Sequence, residues 1–254
     1  MKLSRYKHSS SVSYALGATL TYELLKTHPK AISRVFLRPQ NKYGEDLKKL
    51  LLELKQHRIS VTESSKAFNT LAAKDNCLVI AEFKKTATSL DGSAETPHIV
   101  LVNPSDSGNL GTIMRTALAF DYMNIAIITP AVDYLDPKTI RASMGAIFHL
   151  NIETFPSFEN YLIKYGQIGS NSREQKRTLY SFMLNRYSKS LTDIKPRDYY
   201  FALIFGNEAT GLPKSFAEST DTIFIPQAPL VDSLNLAIAA SLGMYHFRTE
   251  LQNH

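Results

Sequence analysis

The residues best suited to do chemistry in this sequence are two amides, one guanidinium and one carboxylate. They are Asn109, Asn235, Arg115 and Glu208, and each comes after an apolar run that resembles a strand. Amides and carboxylates hold polar ligands through hydrogen bonds, and a guanidinium binds hydroxyl or phosphate oxygens. Together with nearby backbone groups, this set could bind and position a small polar ligand.

Two of these residues belong to a β-loop-α-β unit. Ile99–Val102 is a continuous apolar run, typical of a strand buried on both faces, and Pro104–Gly108 breaks the chain after it. A helical pattern starts at Asn109, and Ile125–Ile128 predicts a second buried strand. The unit puts Asn109 and Arg115 near the carboxyl end of its first strand, where open parallel sheets bind ligands.

Two further loops follow predicted strands in the same way. Tyr199–Phe205 reads as a buried strand and leads into Gly206–Gly211, whereas Asp221–Ile225 is the last strand before a long helix that starts near Ser233. If these strands are parallel to the first one, the three loops gather at one edge of the sheet. The strand directions themselves stay open at this point.

Several other kinds of site lack sequence support. No G-x-G-x-x-G or phosphate-binding loop follows a strand, and the histidines and the lone cysteine show no metal-ligand spacing. Ser233 has no G-x-S-x-G turn around it. We therefore expect no nucleotide site of the dinucleotide-binding type, no metal and no serine nucleophile.

Length and cysteine usage indicate a folded protein of a reducing compartment. The 254 residues suffice for one large domain or two smaller ones, and the single cysteine, Cys77, excludes an internal disulfide. The first residues lack the apolar core of a secretory signal, and no apolar run is long enough to cross a bilayer. We expect a cytoplasmic protein.

The charge is unevenly distributed along the chain. Residues 1–58 carry 12 Lys and Arg against 4 Asp and Glu, a net charge of +8, although the whole chain carries only +6. Such a concentration of positive charge is typical of a surface that meets a polyanion. A charge that only keeps the protein soluble is the alternative.

The order of the predicted elements indicates an α/β protein with two domains. Alternating strands and helices over residues 1–83 predict a small α/β domain, and residues 84–97, rich in Ser and Thr, predict a linker. We expect residues 98–254 to form the second domain, around a sheet that brings the three loops to one edge if its strands are parallel.

Three local features complete the prediction. Residues 1–12 are basic and polar and suggest a loose arm, whereas Tyr14–Leu25 has apolar residues at helical spacing. Asp136 and Pro137 predict the start of a helix that reaches Phe148.

The loops that contain Asn109, Glu208 and Asn235 closely resemble those of the SpoU/TrmH branch of the SPOUT methyltransferases. Three motifs between His98 and Arg248 carry the resemblance, and their joint presence is far more specific than any one alone. They are NPSDSGNLGTIMRTALAF with Asn109 and Arg115, LIFGNEATGL with Gly206 and Glu208, and IPQAPLVDSLNLAIAASL with Ile225, Ser233, Leu234 and Asn235.

The resemblance implies an enzyme that uses S-adenosylmethionine to methylate a ribose 2′-hydroxyl of rRNA or tRNA. It also implies a deep trefoil knot in the catalytic domain, a homodimer, and an RNA-binding role for the first domain. Arg115 would act on the ribose from across the dimer. The implied catalytic residues are Arg115, Asn109, Glu208 and Asn235, and the implied cofactor-binding residues are Gly206, Ile225, Leu234 and Ser233.

One departure from the family pattern leaves a second function open. The third motif usually reads Ile-Pro-Met, any residue, Gly, but here Gln227-Ala228-Pro229 follows Ile225-Pro226. The loop loses a glycine and gains a rigid proline, which could alter the pocket wall. The alternative is therefore a knotted RNA-binding or ribosome-assembly protein without turnover. Base methylation is disfavoured because the motifs match the ribose branch.

Overall fold

The computed structural model describes residues 3–40, 42–71, 76–168, 175–230 and 232–252, and these form two compact units. One unit contains the described residues up to Thr86 together with the segment Asp133–His149. The other contains Ala87–Val132 and the described residues from Leu150 onward. Both units are built from strands and helices.

The elements alternate along the chain as an α/β fold requires. The strands are β1 Val12–Leu16, β2 Ile32–Leu37, β3 Val61–Glu63, β4 Val79–Lys84, β5 His98–Val102, β6 Asn124–Ile128, β7 Asn151–Phe155, β8 Gln167–Ile168, β9 Gln175–Lys176, β10 Thr178–Phe182, β11 Lys189–Ser190, β12 Phe201–Phe205 and β13 Asp221–Phe224. The helices are α1 Ala18–Thr27, α2 Glu45–Gln56, α3 Ser65–Thr70, α4 Ser107–Ala119, α5 Pro137–Ala142, α6 Phe158–Tyr165, α7 Phe216–Ser219 and α8 Leu236–Gln252.

The first unit is built around a four-stranded mixed sheet with the order β1-β4-β2-β3. Strand β4 pairs antiparallel with both β1 and β2, and β3 pairs parallel with β2. Helix α2 buries Leu47, Leu50 and Leu54 and directs its lysines outward, as its apolar spacing predicts.

The predicted helix over Tyr14–Leu25 is wrong in its first part. Val12–Leu16 is strand β1, paired with β4, and the helix starts only at Ala18. Gly17 separates the two elements with φ 125°, a conformation that favours glycine. Leu16, which fitted the helical spacing, therefore belongs to the strand, because pairing with β4 overrides the local pattern.

The basic segment before β1 is anchored rather than loose. The Tyr6 hydroxyl donates a hydrogen bond to the Asp133 carboxylate, and His8 Nδ1 lies 2.8 Å from the same carboxylate. Lys85 Nζ lies 3.6 Å from it as well. Asp133 therefore holds Tyr6 and His8 within the first unit.

The segment Asp133–His149, which the sequence analysis counts in the second domain, packs within the first unit. Ser13 Oγ donates to the Leu135 carbonyl at 2.5 Å, and the rings of Phe83 and Phe148 meet edge to face. His149 Nε2 lies 2.8 Å from a Glu23 carboxylate oxygen. The segment thus supplies both apolar and polar contacts to this unit.

Helix α5 is shorter than the sequence predicts. Asp136 caps it as expected, its carboxylate accepting a hydrogen bond from the Lys138 backbone N–H at 2.7 Å. The helix ends at Ala142 instead of Phe148, because Met144 and Gly145 have φ of 52° and 91° and cannot continue a right-handed helix. A 3₁₀ turn completes the segment.

The second unit is built on a seven-stranded sheet with the order β11-β13-β10-β12-β5-β6-β7. Every pairing in it is parallel, so the carboxyl ends of its strands lie at one edge. Strands β5, β6 and β12 are buried along their whole length, which explains their continuous apolar sequences.

Part of the segment expected to be a linker is packed against the second unit. Leu90 is buried in that unit's core, and the Asp91 backbone N–H donates to the Asn124 side chain at 2.8 Å. The Thr88 hydroxyl donates to the Ile152 carbonyl at 2.6 Å. These bonds hold residues on the amino-terminal side of β5 against β6 and β7.

Among the described residues, no helix is long and apolar enough to span a membrane.

Candidate functional site

Three loops of the second unit meet at the carboxyl edge of its parallel sheet. The first joins β5 to α4, the second follows β12, and the third precedes α8. Asn109 lies in the first turn of α4, Glu208 follows β12, and Asn235 precedes α8. The sequence expectation depends on parallel strands, and the structure has them.

Glu208 joins the second loop to the first. One carboxylate oxygen accepts hydrogen bonds from the backbone N–H and the hydroxyl of Ser105, at 3.0 and 2.7 Å. The other accepts from the Asp106 backbone N–H and from Asn109 Nδ2, both at 3.2 Å. Burial raises the pKa of Glu208, but these hydrogen bonds lower it more, so the net shift is downward and the carboxylate stays ionised.

Asn235 joins the third loop to the same cluster. Its Nδ2 donates to Asn109 Oδ1 at 3.0 Å, while Asn109 Nδ2 donates to Glu208. Asn235 Oδ1 accepts from the Ala237 backbone N–H at 2.9 Å and so caps α8. Three residues from distant parts of the chain therefore form one hydrogen-bonded series.

The turn after β12 requires a glycine. A Cβ atom on Gly206 would lie only 2.3 Å from the carbonyl carbon of Gly211, which is far inside van der Waals contact. Asn207 and Gly211 exchange backbone hydrogen bonds across this turn, and Asn207 Nδ2 donates to the Asn103 carbonyl at 2.8 Å. Gly206 thus allows the turn to close tightly beside the first loop.

A cavity of about 860 Å³ opens beside this cluster. Its volume is typical of small-molecule sites. The structure places five of the eight predicted site residues along its wall: Gly206, Glu208, Ile225, Ser233 and Leu234. Gln227, from the loop that departs from the family pattern, also lines it.

Arg115 is not part of this cluster. It is exposed on α4, it is not among the cavity-lining residues, and it makes no hydrogen bond or ion pair with another described residue. Helix α4 packs against α8, where Ser241 Oγ donates to the neighbouring Thr116 hydroxyl at 3.3 Å. The guanidinium therefore faces solvent beside the α4–α8 pair.

The sequence reasoning missed the loop after β10. Residues Met183 to Tyr187 line the cavity because β10 lies between β12 and β13 and ends at the same edge. Asn185 Nδ2 is buried and has no hydrogen-bond partner among the described residues. Leu179, Tyr180 and Phe182 mark the strand before this loop in the sequence, but the position of that strand between β12 and β13 cannot be read from the sequence.

No group of three or more His, Cys, Asp or Glu is arranged to hold a metal ion within the part of the chain that the structure describes.

Sequence comparison adds an independent observation. The family model described as SpoU rRNA Methylase family matches residues 96–245 of this chain. That range includes the three loops, the cavity-lining residues and Arg115. It covers more than half of the chain.

Curated relatives match over the same region. An uncharacterized tRNA/rRNA methyltransferase of Synechocystis sp. is 32% identical over 163 residues, covering 61% of this chain and 55% of that protein. The 23S rRNA (guanosine(2553)-2′-O)-methyltransferase RlmP of Bacillus subtilis is 31% identical over 146 residues, covering 56% and 54%. The chain thus spans about half the length of the curated relatives that it matches.

Solved structures with the same fold match almost the whole chain. An AdoMet-bound rRNA methyltransferase from Sinorhizobium meliloti has a TM-score of 0.78 at 24% identity, covering 95% of this chain and 88% of that one. The SpoU methyltransferase AviRb from Streptomyces viridochromogenes, in complex with the cofactor AdoMet, has a TM-score of 0.78 at 19% identity, covering 96% and 92%. At these identities the likeness establishes the fold. With its three clustered loops and the family match over residues 96–245, the chain belongs to the SpoU rRNA methylase family.

Proposed function

We propose that this protein transfers a methyl group from S-adenosylmethionine to a ribose 2′-hydroxyl of rRNA or tRNA. The observation that carries the proposal is the hydrogen-bonded series from Glu208 through Asn109 to Asn235, beside the cavity at the carboxyl edge of the sheet. Family membership supports the same reaction, as do the relatives whose names specify 2′-O-methylation of 23S rRNA.

The cavity fits a cofactor of this kind. Its volume of about 860 Å³ is sufficient for a nucleoside joined to an amino acid, and its wall combines apolar side chains with backbone groups. Asn185 Nδ2 supplies a buried donor that lacks a partner among the described residues, which is the state expected of a ligand-binding group before binding. We propose that Gly206, Ile225, Ser233 and Leu234 hold the cofactor. When bound, S-adenosylmethionine supplies an activated methyl group.

The protein's own residues then align the ribose and handle its proton. Glu208, kept ionised by its four donors, fixes the first loop, and Asn109 and Asn235 transmit that position to α8. We assign to Arg115 the orientation of the 2′-hydroxyl and of a neighbouring phosphate, through its fork of N–H donors. A charged guanidinium has no free electron pair, so Arg115 takes the hydroxyl proton only after it has given up one of its own.

The exposed position of Arg115 supports a homodimer in which it serves a second copy's cavity. Beside it, α8 presents an apolar stripe of Ile238, Leu242 and Tyr245, exposed to 52, 41 and 56%. These residues recur at the spacing of one helix face, and a stripe of this kind is typical of a helix that packs against a partner. We propose that two copies pair through α4 and α8.

Three further parts of the proposal follow from family membership and charge. We propose that the first unit, with the excess of basic residues in 1–58, binds the RNA. We also propose that the chain after β12 is threaded into a deep trefoil knot, which agrees with β13 lying on the far side of β10. Cytoplasmic location is proposed because the lone cysteine, Cys77, fits a reducing compartment.

Two measurements test the proposed reaction. Isothermal titration calorimetry should detect S-adenosylmethionine binding by the full chain. Methyl transfer to total RNA from a strain lacking the protein, followed by nucleoside mass spectrometry, should yield 2′-O-methyl nucleosides. Absence of cofactor binding at millimolar concentration would favour an RNA-binding protein without turnover, and base-methylated products would overturn the assignment to ribose.

A further inference from the structure

The loop after β10 presents an unusual surface at the mouth of the cavity. Tyr187 lines the cavity, yet its side chain is 73% exposed. The Arg186 guanidinium lies over the Tyr187 ring, 4.6 Å from its centre. The ring is therefore accessible to a ligand at the mouth of the cavity, and its faces can stack on a planar group.

Internal hydrogen bonds hold this loop in shape. The Tyr187 backbone N–H donates to Asn185 Oδ1 at 2.7 Å, and the Ser188 hydroxyl donates to the Met183 carbonyl at 2.8 Å. The Ser188 backbone N–H donates to the Asn185 carbonyl at 3.2 Å. The loop backbone therefore holds Arg186 and Tyr187 at the mouth of the cavity, which reduces the backbone ordering needed when a partner binds.

Three exposed cations lie on or near this loop, and the cavity beside it is also lined by Glu208. Arg186, Lys189 and Lys214 are exposed, and Arg186 and Lys214 also line the cavity. None of the three forms an ion pair with another residue that the structure describes. Free cations beside an exposed aromatic ring match a ligand that carries both phosphates and unstacked bases.

We propose that Arg186 and Tyr187 form a stacking platform for an unpaired nucleobase of single-stranded RNA at the mouth of the cavity. The proposal rests on the proposed function and specifies its substrate: a nucleotide whose base lies outside a duplex. Bases within a duplex are already stacked on their neighbours and offer no free face to a tyrosine. S-adenosylmethionine carries one carboxylate and no phosphate, so a set of three cations without ion-pair partners among the described residues favours RNA, with its phosphate on every nucleotide, over the cofactor as the occupant.

The test measures binding of a fluorescein-labelled, mixed-sequence single-stranded RNA of about 12 nucleotides to the full chain, by fluorescence polarisation. Tyr187→Ala should weaken binding at least about fivefold, the lower end of what stacking of one base contributes. Tyr187→Phe should restore it, because the ring is retained. The control is Ile163→Ala, which removes an equally exposed apolar side chain (75%) on α6.

Salt dependence separates the roles of the two residues. Arg186→Gln should reduce the slope of log Kd against log salt by about 0.7, the value for one phosphate contact of a single strand. Tyr187→Ala should leave that slope unchanged, because the tyrosine carries no charge. Binding of the same RNA annealed to its complement should be unaffected by Tyr187→Ala.

The failure of this proposal is distinguishable from failure of the proposed function. If Tyr187→Ala binds the single strand with wild-type affinity, the platform alone is overturned. If the wild type does not bind that strand, the platform is also overturned, and calorimetry with S-adenosylmethionine and the methyl-transfer assay decide the proposed function separately. Loss of S-adenosylmethionine affinity in Tyr187→Ala with RNA affinity intact would also overturn the platform, by making Tyr187 a cofactor contact. If Tyr187→Ala is a monomer in ultracentrifugation and the wild type is a dimer, the loop is a subunit contact instead of an RNA platform.

Discussion

Replacing Glu208 with glutamine tests whether one carboxylate holds the first two loops together. The carboxylate accepts four hydrogen bonds from Ser105, Asp106 and Asn109, two at each oxygen. Glu208→Gln keeps one acceptor oxygen and turns the other into a donor that faces two donors, so two hydrogen bonds are lost. Hydrogen bonds to charged groups contribute about 1.5–3 kcal/mol each when buried. Because Glu208 is only half-buried, we expect a total of about 2 kcal/mol.

Hydrogen exchange followed by mass spectrometry measures this loss where it occurs. The Ser105 and Asp106 backbone N–H groups both donate to Glu208, and 2 kcal/mol corresponds to about 30-fold faster local opening. A peptide covering residues 103–110 should therefore exchange about 30-fold faster in Glu208→Gln. The control is Glu218→Gln, which removes an exposed carboxylate in α7 of the same unit.

The stabilisation by the Glu208 carboxylate should depend on pH in one direction. The folded state lowers the pKa of Glu208 below its ordinary value of 4.5, so its stabilisation is complete well above pH 4.5 and is lost as the pH falls through the folded pKa. The difference in unfolding temperature between the wild type and Glu208→Gln should thus be largest at pH 7 and narrow as the pH approaches about 4. Equal exchange rates in both variants, or a difference that does not change with pH, would refute the role assigned to this carboxylate.

The remaining predictions concern catalysis, the glycine turn, the dimer and RNA binding. Arg115→Ala should abolish methyl transfer in an assay with labelled cofactor while calorimetry shows nearly unchanged cofactor affinity; unchanged turnover would remove Arg115 from the mechanism. Gly206→Ala should reduce cofactor affinity more than tenfold, because its Cβ would collide with backbone at 2.3 Å, whereas Gly44→Ala, with open space around it, should not. Leu242→Glu should give a monomer without turnover in ultracentrifugation and activity assays, and Ile163→Glu should leave the assembly intact. Affinity for RNA should fall at least about tenfold between 50 and 200 mM salt, and an affinity independent of salt would contradict an RNA surface made of Lys and Arg.

Much of the second unit could be predicted because its central strands β5, β6 and β12 contain long apolar runs. Ile99–Val102 and Ile125–Ile128 lie in strands that are buried on both faces. Such strands have continuous apolar sequences, which is the pattern that predicts them. Asp136 starts its helix as predicted, because a capping side chain acts on an N–H group only two residues further along the chain. Features fixed by local interactions are therefore visible in the sequence.

Features fixed by distant interactions are not visible in this way. The spacing of Leu16 predicts a helix that begins at Tyr14, but pairing with β4 makes Val12–Leu16 a strand. The loop after β10, which contains Asn185, reaches the cavity only because β10 lies between β12 and β13. The sequence motifs marked Asn109, Glu208 and Asn235 individually, but their hydrogen bonds to one another depend on the strand order and direction.

The position of Asp133–His149 has a consequence for how the protein is made. The first unit is assembled from two stretches of chain, and residues of the second unit are synthesised between them. On the ribosome, Tyr6 and Phe83 emerge well before their partners Asp133 and Phe148. The first unit therefore cannot finish folding until His149 has left the exit tunnel. A polypeptide that ends at Thr86 would leave exposed the apolar residues of the first unit that pack on Asp133–His149. We expect nascent chains halted before this point to remain sensitive to protease in their first 86 residues.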